Sequence, residues 1–134
     1  MVQVITKEWE IAKTYMLDVV SKVGGVSLDW DDFEVFARQS RPAVAVKVDE
    51  PLSVTELTAK ALEEVKNVVK GELFGVMVVI AYKDDQKLVM NELNEMNEAL
   101  PFGDDSDVEV IWGVTPTDDI ANARCVAVFA FERL

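Results

Sequence analysis

Residues 75–82 read Gly-Val-Met-Val-Val-Ile-Ala-Tyr, and this run constrains the fold more than any other stretch of the chain. It is apolar at successive positions and rich in β-branched side chains, which is typical of a strand buried on both faces in the middle of a sheet. Similar runs at 43–48 and 124–131, and apolar–polar alternation at 108–114, predict three further strands. The sequence therefore predicts a sheet of four strands.

Two amphipathic segments separate the first three of these strands. Ser53 followed by Glu56 is a capping box, and it opens an apolar stripe that ends near Gly71. Asp84 and Asp85 are predicted to cap a second helix, whose stripe continues to the stop at Pro101. Strand–helix–strand–helix–strand order with short connections implies parallel crossovers, and we expect the last two strands to form an antiparallel hairpin.

The beginning of the chain has a helical pattern. From Ile5 to Val23 apolar residues recur at steps of three and four, and Gly24-Gly25 is a natural stop. A shorter helix is predicted from about residue 30 to residue 39, ahead of Pro42. The expected fold class is α/β (an α+β two-layer fold), with a four-stranded mixed sheet, helices packed on one face and a long amphipathic helix in front. We expect a single domain over 1–134, divided into 1–25, 26–40 and 41–134.

Composition restricts the function classes. With 13 basic and 25 acidic residues the formal charge is −12, so phosphodiester backbones and anionic lipid surfaces are poor partners. The chain has no histidine, which excludes Ser-His-Asp triads and His-ligated metals. Its one cysteine, Cys125, lies in an apolar run and is expected to be a buried thiol. No segment has the pattern of a signal peptide or membrane span, so a cytoplasmic protein is expected.

Asp29, Asp31 and Asp32 crowd the start of the short predicted helix. One interpretation is structural: Asp29 caps the helix and the other two carboxylates interact with the positive end of its dipole. The other is chemical: Asp29 and Asp32 project from one turn and orient a water for phosphoryl transfer. The two interpretations are compatible, because capping fixes the geometry that the chemistry needs.

The segment 24–33 resembles the synergy loop of the cell-division GTPase FtsZ, a relative of tubulin. Four later segments are also similar to that family, in the same order and at matching spacing: residues 75–81, 93–99, 110–114 and 125–131. The resemblance covers nearly the whole chain and implies the end of the family's core helix followed by its C-terminal domain. The chain departs from the family's pattern at 82–84 and at 121–123.

The resemblance also implies roles for particular residues. In the family, the loop's acids enter the nucleotide pocket of the next subunit and complete its hydrolytic site. Asp29 and Asp32 match these acids, and Ser27 stands where the family has asparagine, so these three are the candidate catalytic residues, acting in trans. Trp30 and Asp31, in the same loop, are candidate partner-binding residues.

Trp9 and Ile5 are further candidates for partner binding. In the family, the corresponding part of the core helix is covered by the nucleotide domain. Here these two side chains either fold onto the core of the sheet domain or remain partly exposed and mediate dimerisation or docking. The remaining acid pairs, such as Asp104-Asp105 and Asp118-Asp119, are most simply turn residues and lack the spacing of an EF-hand loop.

The phosphate-binding half of the family pattern is missing from this sequence. The chain has six glycines, and only Gly24 and Gly25 are adjacent, so no glycine-rich phosphate loop is available. We therefore expect no cofactor and no metal to bind to the chain alone, and GTP to be reached only through a partner subunit. No enzymatic activity is expected of the isolated chain.

Three functions follow from these observations. The first is a binding and activating module that engages an FtsZ- or tubulin-type GTPase subunit in cell division or polymer regulation. The alternative is a stand-alone, self-associating domain of the same fold with no GTPase-related role. A small-molecule enzyme on this frame is the third, although four arginines and no histidine give it few groups for acid–base chemistry.

Overall fold

The computed structural model of the chain describes residues 2–6, 38, 40–83, 85–100, 107–116 and 120–133. Within these ranges the fold is α+β, with five strands and two complete helices. In chain order the elements are β1 Val2–Ile5, β2 Ser40–Val48, α1 Val54–Val68, β3 Leu73–Tyr82, α2 Met90–Ala99, β4 Glu109–Pro116 and β5 Arg124–Arg133.

The described strands form one mixed sheet in the order β1-β2-β5-β3-β4. Only β3 and β4 pair in parallel, while β5 runs antiparallel to both of its neighbours and β1 antiparallel to β2. Because β2 and β3 are each antiparallel to β5, the three strands β2, β3 and β4 point the same way. Their carboxyl ends therefore meet at one edge of the sheet.

The expected hairpin between the last two strands is wrong. β5 lies between β2 and β3, with Val128 opposite Val46 on one side and Val78 on the other. β4 pairs with β3 instead and is an edge strand of the described sheet. The physical reason is burial. Residues 125–131 of β5 are all buried, so a central place removes both faces of this strand from water, whereas an edge place would not.

The sheet also contains a strand that the sequence did not predict. Residues 2–5 pair antiparallel with β2, so Ile5 belongs to a strand rather than to the start of a helix. Val-Gln-Val-Ile is β-branched at three of four positions, and pairing it with β2 satisfies backbone groups that an edge strand would leave open. Thr6 is described and is not helical, and the rest of the predicted first helix, from residue 7, lies outside the described residues. So does the short helix of 30–39 except for Arg38, which is helical.

Both described helices pack on the same face of the sheet, as predicted. Leu57, Ala61 and Val65 of α1 and Met96 of α2 are each at most 1% exposed and join one apolar cluster. The strand side chains of this cluster come from alternate positions of the three inner strands: Val44, Val46, Val48, Val76, Val78, Ile80, Val126, Val128 and Ala130. Burial of this face is the main apolar contribution that holds the helices on the sheet.

The opposite face of the sheet is apolar as well. Met77, Phe129 and Phe131 are fully buried there, and Ile5 and Ile111 pack against the same cluster. The prediction that residues 75–82 form a strand with two apolar faces is thereby confirmed. Its positions from Gly75 to Ile80 are buried without interruption.

The two helix starts differ from each other in how well the sequence predicted them. Ser53 caps α1 as expected, its hydroxyl accepting a hydrogen bond from the Glu56 N–H at 3.2 Å. For α2, the expected cap at Asp84-Asp85 is wrong, because the helix begins only at Met90. There the Glu92 carboxylate accepts a hydrogen bond from the Val89 N–H at 3.0 Å, so a side chain inside the helix satisfies the amide at its cap.

Candidate functional site

Six of the seven candidate site residues fall outside the described part of the chain. These are the three acting in trans, Ser27, Asp29 and Asp32, and the partner-binding candidates Trp9, Trp30 and Asp31. Ile5 is described. It lies in β1 opposite Ala45 and is partly buried against the cluster of the second face, while its neighbour Val4 is 40% exposed.

Among the described residues, polar side chains concentrate where the carboxyl ends of β2, β3 and β4 meet. We call this the carboxyl edge: Asp49, Lys83, the segment 120–123 and Arg124. In open sheets containing parallel strands, this edge is where ligands commonly bind. The hydrogen bonds of each side chain decide whether it is available for a ligand.

Asp49 directly follows β2 and is 9% exposed. One carboxylate oxygen, Oδ2, accepts a hydrogen bond from the Ala121 N–H at 2.7 Å. The other, Oδ1, accepts hydrogen bonds from the backbone N–H and the side-chain amide of Asn122, both at 3.0 Å. Burial raises the pKa of the Asp49 carboxyl, but these hydrogen bonds outweigh it, so its pKa lies below the usual value. Asp49 therefore anchors the segment that leads into β5.

Arg124, the first residue of β5, ties a second loop to the same edge. Its Nε and Nη2 donate to the two carboxylate oxygens of Glu92 at 2.9 and 3.1 Å. Its Nη1 donates to the Gln86 carbonyl at 2.6 Å, and Nη2 donates to the Lys87 carbonyl at 3.2 Å. The guanidinium lowers the pKa of the Glu92 carboxyl more than partial burial raises it.

Lys83 completes the edge. Its backbone N–H donates to the Ala123 carbonyl and its ammonium donates to the Ala121 carbonyl, both at 3.3 Å. Lys83 thus joins the end of β3 to the segment 121–123. The carboxylate and cations of this edge are engaged with the protein itself, which makes the edge a structural clamp.

The buried thiol is unsuited to nucleophilic chemistry. Cys125 is 2% exposed, and burial raises the pKa of its thiol to about 12. The expectation of a buried, unpaired cysteine is confirmed. Within the described ranges, no three His, Cys, Asp or Glu side chains converge as they would around a metal ion.

A groove of about 250 Å³ separates α1 from α2. Leu62, Met96 and Leu100 give it an apolar lining, with Glu63 and Lys66 also along it. The Thr58 hydroxyl, which also lines the groove, donates to the Val54 carbonyl at 2.8 Å and is therefore already engaged. The groove offers apolar contact area rather than catalytic groups.

At the amino ends of β3 and β4, opposite the carboxyl edge, acidic side chains surround the start of β4. We call Glu72, Asp107 and Glu109 the acidic corner; all three are exposed. Arg133 is the single cation among the described residues that line it. Its Nη2 donates to the Asp107 carbonyl at 3.0 Å, and its Nε lies 3.8 Å from the Glu72 carboxylate. The corner thus carries three carboxylates against one guanidinium.

Sequence reasoning missed the Asp49–Asn122 contact and the Arg124 hub. Both join residues far apart in the chain, and no local pattern identifies such partners. The one available signal was Asp49 itself, a carboxylate at the end of an apolar strand, where burial demands hydrogen-bond donors.

No protein-family model matches the chain, and no curated protein matches its sequence. Neither described helix is long and apolar enough to cross a membrane.

Proposed function

We propose that the chain is an FtsZ C-terminal-domain-like module that acts in the cytoplasm on a tubulin- or FtsZ-type GTPase. It contacts the nucleotide face of a GTPase subunit and presents Asp29 and Asp32, with Ser27 beside them, toward the γ-phosphate. Trp30 and Asp31 contact the same partner. The chain alone binds neither GTP nor a metal, and its role is in cell division or in regulating the partner's polymer.

The order of the similar segments is the observation that carries this proposal. The segments 75–81, 93–99, 110–114 and 125–131 fall on β3, α2, β4 and β5, so each lies on the element type that the resemblance implies. The two central strands among them are the most deeply buried part of the sheet. The support is therefore that segments similar to the family occur in the same order along the sheet domain. The loop acids would precede this domain in the chain.

A GTPase assay in trans tests the proposal directly. The purified chain is added to a full-length FtsZ-type GTPase, and GTP turnover and pelletable polymer are measured. We expect both to change, and the Asp32→Ala variant to lose most of the effect on turnover, about tenfold or more, because positioning a water is the acid's role. Asp85→Ala, which removes an exposed turn carboxylate, is the matched control and should behave like the wild type.

Calorimetry with GTP and the chain alone is the companion measurement. Negligible binding is expected, since the sequence holds no phosphate-cradling glycine loop. Tight binding of GTP to the chain alone would contradict the proposal that only the partner subunit binds the nucleotide. Unchanged turnover and polymer on adding the chain would remove the proposal.

Self-association is the second candidate function. The exposure of Val4 on the edge strand β1, next to Ile5, favours a contact through the beginning of the chain, in which Trp9 would take part. Sedimentation of the chain alone separates the two candidates. A defined oligomer that is weakened by Val4→Lys, together with no response to a GTPase, favours self-association.

A further inference from the structure

The outer edge of β4 is the longest unpaired strand edge among the described residues. β4 pairs with β3 in an unbroken parallel register from Glu109 opposite Gly75 to Pro116 opposite Tyr82, and it ends the sheet. Its other side therefore presents a row of backbone N–H and C=O groups. Such a row is a template for pairing with a further strand.

As far as the described residues show, β4 lacks the features that usually protect an edge. Edge strands are commonly short, bulged, or interrupted by lysine or proline. β1, at the other end of the described sheet, has four residues, whereas β4 has eight and no shift in register. The one charged residue in β4 is Glu109 at its start, and its one proline is Pro116 at its end.

Three apolar side chains of this strand are also incompletely covered. Val110 and Val114 pack toward the helix-bearing cluster and Ile111 toward the opposite one, yet all three stay partly exposed. An added strand would place its own side chains beside them on both faces, where cross-strand apolar pairs stabilise a sheet. The edge thus offers hydrogen bonds and apolar contacts together.

Charge indicates what kind of strand fits. The acidic corner of Glu72, Asp107 and Glu109 lies at the beginning of β4, with Arg133 as the one cation lining it in the described structure. The whole chain carries a formal charge of −12, which repels a second copy and attracts a cationic segment. The favoured occupant is an extended segment of another protein with basic residues at one end.

We propose that β4 binds such a segment by β-strand addition, with its lysine or arginine residues beside the acidic corner. The segment spans about 26 Å at about 3.3 Å per residue along the strand, and its apolar side chains alternate between the two faces. This surface is distinct from the loop acids, so the proposal stands independently of the GTPase role.

The test uses a synthetic peptide as the probe. A fluorescein-labelled peptide of about ten residues, alternating valine and threonine and ending in two lysines, is titrated with the full chain while anisotropy is measured. Amide hydrogen exchange of the chain is followed with and without peptide. We expect saturable binding and slower exchange of alternate amides in β4.

Two matched controls locate the contact. The same peptide with alternate backbone nitrogens methylated should not bind, because it cannot complete the ladder. Glu109→Lys should weaken binding of the lysine peptide about five- to tenfold and strengthen binding of a glutamate-ended peptide. Glu63→Lys makes the same change of charge on the exposed side of α1 and should have little effect.

Three results would overturn the proposal. The first is absence of binding at about 1 mM peptide, the weak end of specific association. The second is equal binding of the methylated peptide, or equal effects of Glu109→Lys and Glu63→Lys, because binding would then be unspecific. The third is protection of the β4 amides on raising the concentration of the chain alone, because a second copy would then occupy the edge.

Discussion

At the carboxyl edge, polar side chains form hydrogen bonds that hold the loops to the sheet. Asp49 is nearly buried, and a buried carboxylate is costly unless donors surround it. Ala121 and Asn122 supply three donors at 2.7 to 3.0 Å. Asp49 resembles a catalytic acid in its burial and location, but both of its carboxylate oxygens accept hydrogen bonds from the fold. Its role is therefore structural.

Replacing Asp49 by asparagine tests this role. The asparagine side chain keeps one acceptor oxygen but turns an amide group toward backbone donors, so we expect the free energy of unfolding to fall by about 2 kcal/mol. Urea unfolding at pH 7 measures it. Asp85→Asn, in an exposed turn, is the control and should change stability by less than about 0.5 kcal/mol. Equal losses in the two variants would show that the Asp49 hydrogen bonds add nothing.

The pH dependence of stability follows from the same carboxylate. The pKa of Asp49 is lower in the folded chain than in the unfolded chain, so the unfolded chain binds more protons between the two values. Its contribution is complete above the unfolded pKa, about 4, and is lost as pH falls through the folded pKa. We expect the urea midpoint to fall less steeply below about pH 5 in Asp49→Asn than in the wild type. Parallel pH profiles would contradict this linkage.

Cys125 gives a prediction about reactivity. Its pKa of about 12, against a usual 9.0, lowers the share of thiolate at pH 8 by about a thousandfold. Because a thiolate of higher pKa is also the stronger nucleophile, the rate falls less than the thiolate share. We expect iodoacetamide to modify the folded chain at least about tenfold more slowly than the chain in denaturing urea, as followed by mass spectrometry. Similar rates in both conditions would mean that the thiol is accessible in the fold.

At the scale of elements, side-chain periods predicted most helices and strands, and contacts across the fold adjusted their ends. The Ser53 cap of α1 was predictable because both partners lie within four residues of sequence. The start of α2 was not, because its N-cap residue, Val89, has no side chain that can cap a helix. Glu92, which accepts the Val89 N–H instead, is also bound by Arg124, 32 residues away. Pro42, expected to stop a helix, lies inside β2 at an irregularity of the register, where a strand tolerates proline.

Replacing Arg124 by lysine tests the link between α2 and β5. One ammonium cannot reach Glu92 and the carbonyls of Gln86 and Lys87 together, so we expect a loss of about 2 kcal/mol in the free energy of unfolding. Amides in the first turn of α2 should also exchange faster. Urea unfolding and hydrogen exchange measure the two effects.

Arg41→Lys is the matched control for this substitution. Arg41 pairs with Glu132 at 2.8 Å, but its side chain is 57% exposed. An exposed pair contributes little, so a change of about 0.5 kcal/mol or less is expected. A loss as large as that of Arg124→Lys would show that the geometry of the Arg124 hub is unimportant.

For the molecule as a whole, the sheet order predicts a gradient of local stability. β5 is flanked on both sides and covered on both faces, whereas β1 is a four-residue edge strand of the described sheet. We expect amides in β5 and β3 to exchange only with global unfolding, and those in β1 through local fraying. Native-state hydrogen exchange in low denaturant checks this order. Equal protection of β1 and β5 would contradict it.

The amino-acid sequence by itself determined most of the segments that become strands and helices. The periods of 2 and 3.6 are local properties, and they identified β2 to β5, α1 and α2. The capping residue Ser53 is local too, and it identified the start of α1. Only the tertiary structure decided that β5 enters the middle of the sheet, that Val2–Ile5 adds a fifth strand, and that Asp49 meets Asn122. These choices depend on which arrangement buries two apolar faces and satisfies buried polar groups, and that comparison involves residues distant in the chain.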